Sequence, residues 1–284
     1  MKIGFIGIGV MGFSMAKNLL DKGYKVNVYN RTLEKAQPLA QFGATICSSV
    51  EACCEDTDVN IAIVGMPQDV EEVFQKIIAC ASKGSIAIDM TTSSPQLATD
   101  LYKLAKTKGI SLLDAPVSGG DIGAKLATLS IMVGGDKNTY QEAMPLFEAM
   151  GTNIVYCGES GMGQHTKMAN QIAIAGCISG LSEALIYAQT MGLDANTLLD
   201  AISKGAAGSW QMSNNGPKMI QEDYAPGFFI KHFVKDMNLA NNEAMQHSLD
   251  LPILKETIEH YQQMIAKNQG ELGTQALIDY YKKN

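Results

Sequence analysis

A chain of 284 residues, 46% hydrophobic and 18% charged, holds enough apolar matter for two unequal cores and is not a disordered protein. Its 22 basic and 29 acidic residues leave a formal charge of −7, so no general positive field exists to hold a nucleic-acid backbone. Six cysteines without a C-x-x-C pair form neither a disulfide framework nor a metal cage; they read as reduced thiols of a cytoplasmic protein, mostly small core residues.

Across residues 1–162, β-rich runs alternate with amphipathic stretches, the pattern of βαβ units and a largely parallel sheet. Strands are predicted at Lys2–Ile6, Lys25–Tyr29, Asn60–Val64, Ser85–Ile88, Ser111–Asp114, Ser130–Val133 and Asn153–Cys157. The first strand, with its glycines and the following Ser14-Met15-Ala16, superficially resembles a signal peptide, but the glycine offsets fit a different motif. Turn chemistry follows the early strands, and in an open parallel sheet ligands sit beyond the carboxyl ends of the strands.

After residue 162 the pattern changes. Up to Gly192 there is no proline and no β-like run, and small residues such as Ala169, Ala173, Gly176 and Gly180 favour one long helix. Its most apolar stretch, Ile172 to Leu181, is about half the ~20 residues of a bilayer span, so a buried segment and no membrane contact are expected. Further helices are predicted at residues 194–203, 224–245 and 252–267, with 205–210 as a small-residue turn. The expected architecture is α/β: an N-terminal Rossmann-type dinucleotide-binding domain, residues 1–162, and an all-α C-terminal domain, residues 163–284, joined by the long helix.

Gly7-Ile8-Gly9-Val10-Met11-Gly12 follows a strand and opens a helix. In that context the first glycine permits a tight turn, the second lets backbone approach a diphosphate, and the third lets helix and strand pack closely. A dinucleotide is the expected ligand. At the end of the second strand, where an NAD-preferring fold usually places a carboxylate for the ribose diol, the chain reads Asn30-Arg31-Thr32. A guanidinium and a hydroxyl suit a 2′-phosphate, so NADP is the expected cofactor, with NAD possible. The plainer reading keeps Arg31 as a solvated turn residue.

Lys167 and Asn170 lie at i and i+3 near the start of the long helix and share a face. A lysine held in a cleft could deliver the one proton that carbonyl reduction needs. By base rate alone a helix lysine is solvated; what shifts that expectation is its neighbourhood. The segments Gly7–Leu19, Asp114-Ala115-Pro116-Val117-Ser118-Gly119-Gly120, Gly161-x-Gly163-x-x-x-Lys167-x-x-Asn170 and Lys235-Asp236 stand in the order and spacing of the β-hydroxyacid dehydrogenases. This family includes 3-hydroxyisobutyrate dehydrogenase, tartronate semialdehyde reductase and the glyoxylate/succinic semialdehyde reductases, and the chain resembles it from residue 1 to about 240.

The resemblance implies an NADP-dependent oxidoreductase acting on a short β-hydroxyacid or its semialdehyde, in a homodimer or homotetramer. Lys167 resembles the family's catalytic lysine and Asn170 its partner at the substrate. Ser118, Gly119 and Gly120 resemble the segment that holds the substrate carboxylate, and a hydroxyl beside glycine amides can also form an anion nest on its own account. Met66 and Thr92 correspond to positions near the nicotinamide, and Lys235 to a lysine that reaches the cofactor; as a plain surface feature it would pair with Asp236. Near the C-terminus, Gly273-Thr274-Gln275-Ala276-Leu277 lacks the acid that many members carry, which leaves the distal pocket open to question. Trp210, the only tryptophan, is a candidate wall of that pocket or a core residue. The alternative is a dinucleotide-binding module without catalysis.

Overall fold

The computed structural model describes residues 1–282 and divides within its longest helix into two compact units, Met1–Lys167 and Met168 onward. The first unit runs β1 (Lys2–Ile6), α1 (Val10–Asp21), β2 (Lys25–Tyr29), β3 (Thr45–Ile46), α2 (Val50–Cys54), β4 (Val59–Ala62), α3 (Pro67–Cys80) and β5 (Ile86–Asp89). It continues with α4 (Pro95–Thr107), β6 (Ser111–Asp114), β7 (Val117–Ser118), α5 (Gly120–Leu126), β8 (Leu129–Gly134), α6 (Lys137–Glu148), β9 (Gly151–Gly158) and the start of α7 (Met162–Thr190).

The sheet has the order β3-β2-β1-β4-β5-β6-β8-β7, with β9 added to β8. Its first six strands are parallel, and the central β1, β4 and β5 are covered on both faces and buried almost throughout. Side-chain alternation sorts them. Ile3, Phe5, Val28, Ile61 and Ile88 enter one core with Met15 and Leu19 of α1, while Ile6, Ala62 and Ala87 enter the opposite core with Phe74 and Ile77 of α3.

The predicted strands are all present, with β4 and β5 displaced by a residue or so, and β3 and β7 are additions. Each added strand is two residues long, too short to carry a period. The sheet also departs from parallel at β8, which runs antiparallel to β6 and β7. Only residues 119–128 separate β7 from β8, and a parallel return needs a crossover of a dozen residues or more.

The second unit is helical, with α8 (Ala195–Ile202), α9 (Trp210–Asn214), α10 (Gly216–Ile220), α11 (Ile230–Gln246), α12 (Pro252–Ala266) and α13 (Ile278–Lys282) following the body of α7. Ala175, Ile178, Leu181 and Leu185 of α7 share its core with Phe233, Met237, Tyr261 and Met264. Phe233 and Tyr261 meet edge to face at 5.6 Å, and the Tyr261 hydroxyl donates to the Thr274 carbonyl at 2.7 Å.

Several expectations need correction here. α11 begins at Ile230 and not near residue 224, because Pro226-Gly227 interrupts the helical pattern. Two short helices, α9 and α10, follow the 205–210 turn. Trp210 opens α9 with 63% of its surface exposed, so it is no core residue. Only Cys47, Cys53 and Cys54 are buried, whereas Cys80 and Cys177 are exposed and Cys157 lies between. Finally, α7 is 29 residues long, and by length and composition it could cross a membrane, so Ile172–Leu181 is not an isolated half-span. Its inner face is core, while Ala169, Ala173, Cys177, Gly180 and Tyr187 form an exposed stripe, and 39% of its most apolar window is buried.

Candidate active site

The glycine turn is shaped by contacts that only glycine tolerates at two positions. Gly7 has φ +97°, and a Cβ there would strike the Ile63 carbonyl; a Cβ at Gly12 would strike the Gly7 carbonyl. Gly9 differs: nothing lies within 4 Å of its would-be Cβ, so the space in front of α1 is open. Gly9 caps α1 without a side-chain hydrogen bond and no acidic residue occupies the first turn. These features fit a diphosphate at the positive end of a helix. Ile8 is buried and Val10 is 64% exposed, so Ile8 can present only backbone and Val10 stands at the rim beside Met11.

At the end of β2, Asn30 is a brace. Its Oδ1 accepts from the Ile8 N–H at 2.9 Å and its Nδ2 donates to the Thr32 carbonyl at 2.8 Å, which ties this turn to the glycine turn. Both ends of the amide are thus engaged within the protein. Arg31 and Thr32 are exposed, and the Arg31 Nη1 lies 3.4 Å from Asp69 Oδ1. Asp69 is itself held, because its Oδ2 accepts from the Met66 N–H at 2.9 Å in a capping arrangement at the start of α3. Met66 is 45% exposed at that rim.

A third set of contacts joins β5, β6 and the start of α7. Asp114, fully buried at the end of β6, accepts from the Gly161 N–H at 2.8 Å and the Gln164 N–H at 2.9 Å. Burial pushes its carboxyl up to about 6, against the opposing pull of these N–H donors. The carboxylate therefore takes up amides that the first turn of a helix otherwise leaves unsatisfied. A Cβ at Gly163 would strike the Asp114 and Met132 carbonyls, which explains glycine at that position. Lys167, one turn further along, is 5% exposed, so it is not a solvated helix lysine. Thr92, half-buried, lies in the loop after β5.

Ser118 ends β7, and Gly119 and Gly120 follow with φ of +133° and +64°. Both values are positive, a backbone conformation that L side chains rarely adopt, which explains glycine at both positions. In the second unit, Asn170 Nδ2 donates to Gln171 Oε1 at 2.8 Å, and Gln171 Nε2 donates to Asp236 Oδ2 at 2.7 Å. Asp236 Oδ1 lies 2.8 Å from Lys235 Nζ. The Lys235–Asp236 pair is real but buried, with side chains 11% and 3% exposed, and so is not the surface pair weighed from sequence. Beside it, burial and the charges of Lys231 and Lys235 hold the His232 imidazole below its usual range. Gln275 is also buried, and its Nε2 donates to the Asp223 and Ala225 carbonyls at 2.9 Å each. In place of the acid that many family members carry, this residue supports the irregular segment before α11.

Sequence reasoning missed Asp69, Gln164 and Gln171 and used Asp114 only as a motif letter. A carboxylate ending an apolar strand was the available signal for Asp114. Among the described residues no group of three or more His, Cys, Asp or Glu side chains could hold a metal.

A dinucleotide fold with a buried lysine near the start of the long helix α7 defines a class of nicotinamide-dependent oxidoreductases, and comparison with known proteins gives the family. Residues 2–158 match the model of the NAD binding domain of 6-phosphogluconate dehydrogenase, and residues 161–281 that described as NAD-binding of NADP-dependent 3-hydroxyisobutyrate dehydrogenase. The chain is 48% identical to the uncharacterized oxidoreductase YkwC of Bacillus subtilis, covering 99% of each. It is 37% identical to 2-hydroxy-3-oxopropionate reductase of Escherichia coli, over 98% of this chain and 96% of that one. A solved structure of Mycobacterium tuberculosis 3-hydroxyisobutyrate dehydrogenase with L-serine superposes with a TM-score of 0.92 at 30% identity, covering 99% and 98%. The chain belongs to the 3-hydroxyisobutyrate dehydrogenase-related β-hydroxyacid dehydrogenases and binds a nicotinamide dinucleotide.

Proposed function

We propose that the chain interconverts a short β-hydroxyacid and its semialdehyde, or a glyoxylate/glycolate-type pair, with NADP(H) preferred over NAD(H) and Lys167 as general acid and base. The observation that carries this reading is the burial of Lys167 on the turn that Asp114 anchors. Bound at the glycine turn, the nicotinamide cofactor supplies or accepts the hydride. In reduction the Lys167 ammonium gives its proton to the carbonyl oxygen and steadies the charge that develops there; in oxidation the neutral amine takes the proton back. The Ser118 hydroxyl and the Gly119 and Gly120 amides hold the substrate carboxylate, supported by the backbone turn at these residues. Arg31 and Thr32 favour the 2′-phosphate. Asn170 contributes through the hydrogen-bonded row it forms with Gln171 and Asp236.

The same reading includes self-association in the cytoplasm, supported by the exposed apolar stripe along α7 and by cysteines that are all free thiols. The experiment is a turnover screen of the purified protein with NADPH and NADH against short acid semialdehydes. The expected result is turnover of at least one acid semialdehyde, faster with NADPH. Cofactor binding without turnover of any would favour a dinucleotide-binding module.

A further inference from the structure

Gln164 is fully buried on the first turn of α7 and makes three hydrogen bonds to chain that precedes it by 50 to 73 residues. Its backbone N–H donates to Asp114 Oδ2 at 2.9 Å. Its side-chain Oε1 accepts from the Ser93 N–H at 2.9 Å, and its Nε2 donates to the Thr91 carbonyl at 2.7 Å. One side chain must therefore offer an acceptor and a donor side by side, to backbone groups that flank Thr92. A primary amide does this; a carboxylate accepts only, and a thioether of the same length provides neither bond.

The links continue beyond the loop. Thr91 Oγ1 accepts from the Val64 N–H at 3.0 Å, and the Thr91 N–H donates to Asp89 Oδ1 at 2.9 Å. The segments after β4 and β5, the end of β6 and the head of α7 are thus joined by one set of bonds, with Gln164 at its centre. Lys167 follows Gln164 by three residues, so both stand on one face of the helix. Any shift of the Gln164 turn against the Thr91–Ser93 loop moves Lys167 by a comparable amount.

We propose that Gln164 is a positioning residue for Lys167, whose side-chain amide sets the placement of the lysine turn relative to the Thr92 loop. This rests on the assignment of Lys167 as proton donor. A proton donor displaced by about 1 Å can lose on the order of a hundredfold in rate. Loss of the amide should therefore appear in kcat and leave cofactor affinity little changed.

Two variants test the proposal. Gln164→Met keeps length and removes both side-chain hydrogen bonds; kcat should fall at least ~tenfold while KM for NADPH stays within about threefold. Gln164→Glu, when ionised, sets a carboxylate against the Thr91 carbonyl, but when protonated it offers a donor and an acceptor as the amide does. Its kcat should recover as pH falls, on a limb that the wild type lacks. The ionisable groups nearby are Asp89, reached through Thr91, Asp114, reached through the Gln164 backbone, and Lys167 one turn on. All three are present in the wild type too, so its profile is the control. Independently of turnover, the Ser93 amide should exchange hydrogen faster in Gln164→Met, which loses its acceptor. A folded Gln164→Met enzyme with wild-type kcat, or a Gln164→Glu profile that overlays the wild type, while Lys167→Ala is inactive, would overturn the positioning role alone. Full turnover by Lys167→Ala would instead overturn the assignment on which it rests.

Discussion

The guanidinium of Arg31 lies 3.4 Å from a carboxylate, that of Asp69, which is itself fixed by the Met66 N–H at the head of α3. The Arg31 side chain is 87% exposed, so the ion pair contributes little to folding. On the proposed reading its effect falls on the cofactor, because a 2′-phosphate at Arg31 would share the guanidinium with Asp69. Arg31→Ala should weaken NADPH binding by ~1.5 to 3 kcal/mol, the range for a charge-assisted hydrogen bond, and leave NADH nearly unchanged. Asp69→Asn should act oppositely and tighten NADPH, since the amide can still accept from the Met66 N–H. Titration calorimetry with both cofactors decides; equal losses for NADPH and NADH in Arg31→Ala would exclude a 2′-phosphate role for this residue.

Lys167→Ala should fold, bind NADPH and lose about a hundredfold to ten-thousandfold in kcat, the usual contribution of general acid–base catalysis. Lys167→Arg separates proton transfer from charge. Guanidinium keeps the charge but does not give up a proton near neutral pH, so this variant should also be nearly inactive. Near-wild-type kcat for Lys167→Arg would show that only a positive charge is required. Asn170→Ala should be less impaired, because it removes one member of a row that Gln171 and Asp236 still hold together.

If Ser118, Gly119 and Gly120 hold the substrate carboxylate, an uncharged aldehyde of equal length should be a far poorer substrate than the acid semialdehyde. The comparison is kcat/KM for the two compounds with the same enzyme. Similar values would make the turn at Gly119 and Gly120 a purely structural strand-to-helix connection.

Much of this was legible because it depends on local chemistry. Gly7, Gly9 and Gly12 announce a tight turn because they follow a strand and open a helix, and the apolar runs of β1 and β4 announce parallel strands covered on both faces. Gln164 and Asp69 were not legible, since what they do depends on partners 38 to 73 residues away that only the folded chain brings near. Trp210 shows the opposite failure: a lone tryptophan in a helical domain is more often core, and at the head of α9 it is 63% exposed. Lys235 lies between these cases. Its neighbour Asp236 was the evident partner, but the burial of the pair could be read only from the helices packed around it.

Asp114 makes stability depend on pH in a direction opposite to that of most carboxylates. Burial raises its folded pKa from 3.8 to about 6, so the protonated form is favoured by folding. A group shifted upward contributes stability that is fully present below its unfolded pKa and is lost as pH rises through its folded pKa. Between pH 7 and pH 5 the wild type should therefore gain about 1.4 kcal/mol relative to Asp114→Asn, in which this position no longer titrates. At pH 7 the Asn variant is set back by a different cause, because its amide offers one acceptor oxygen where Gly161 and Gln164 supply two donors. That penalty does not vary with pH, so the change in the difference between the two proteins isolates the titration. Denaturant unfolding of both at pH 7 and pH 5 measures it. Parallel curves would mean that the Gly161 and Gln164 amides stabilise the carboxylate enough to cancel the effect of burial.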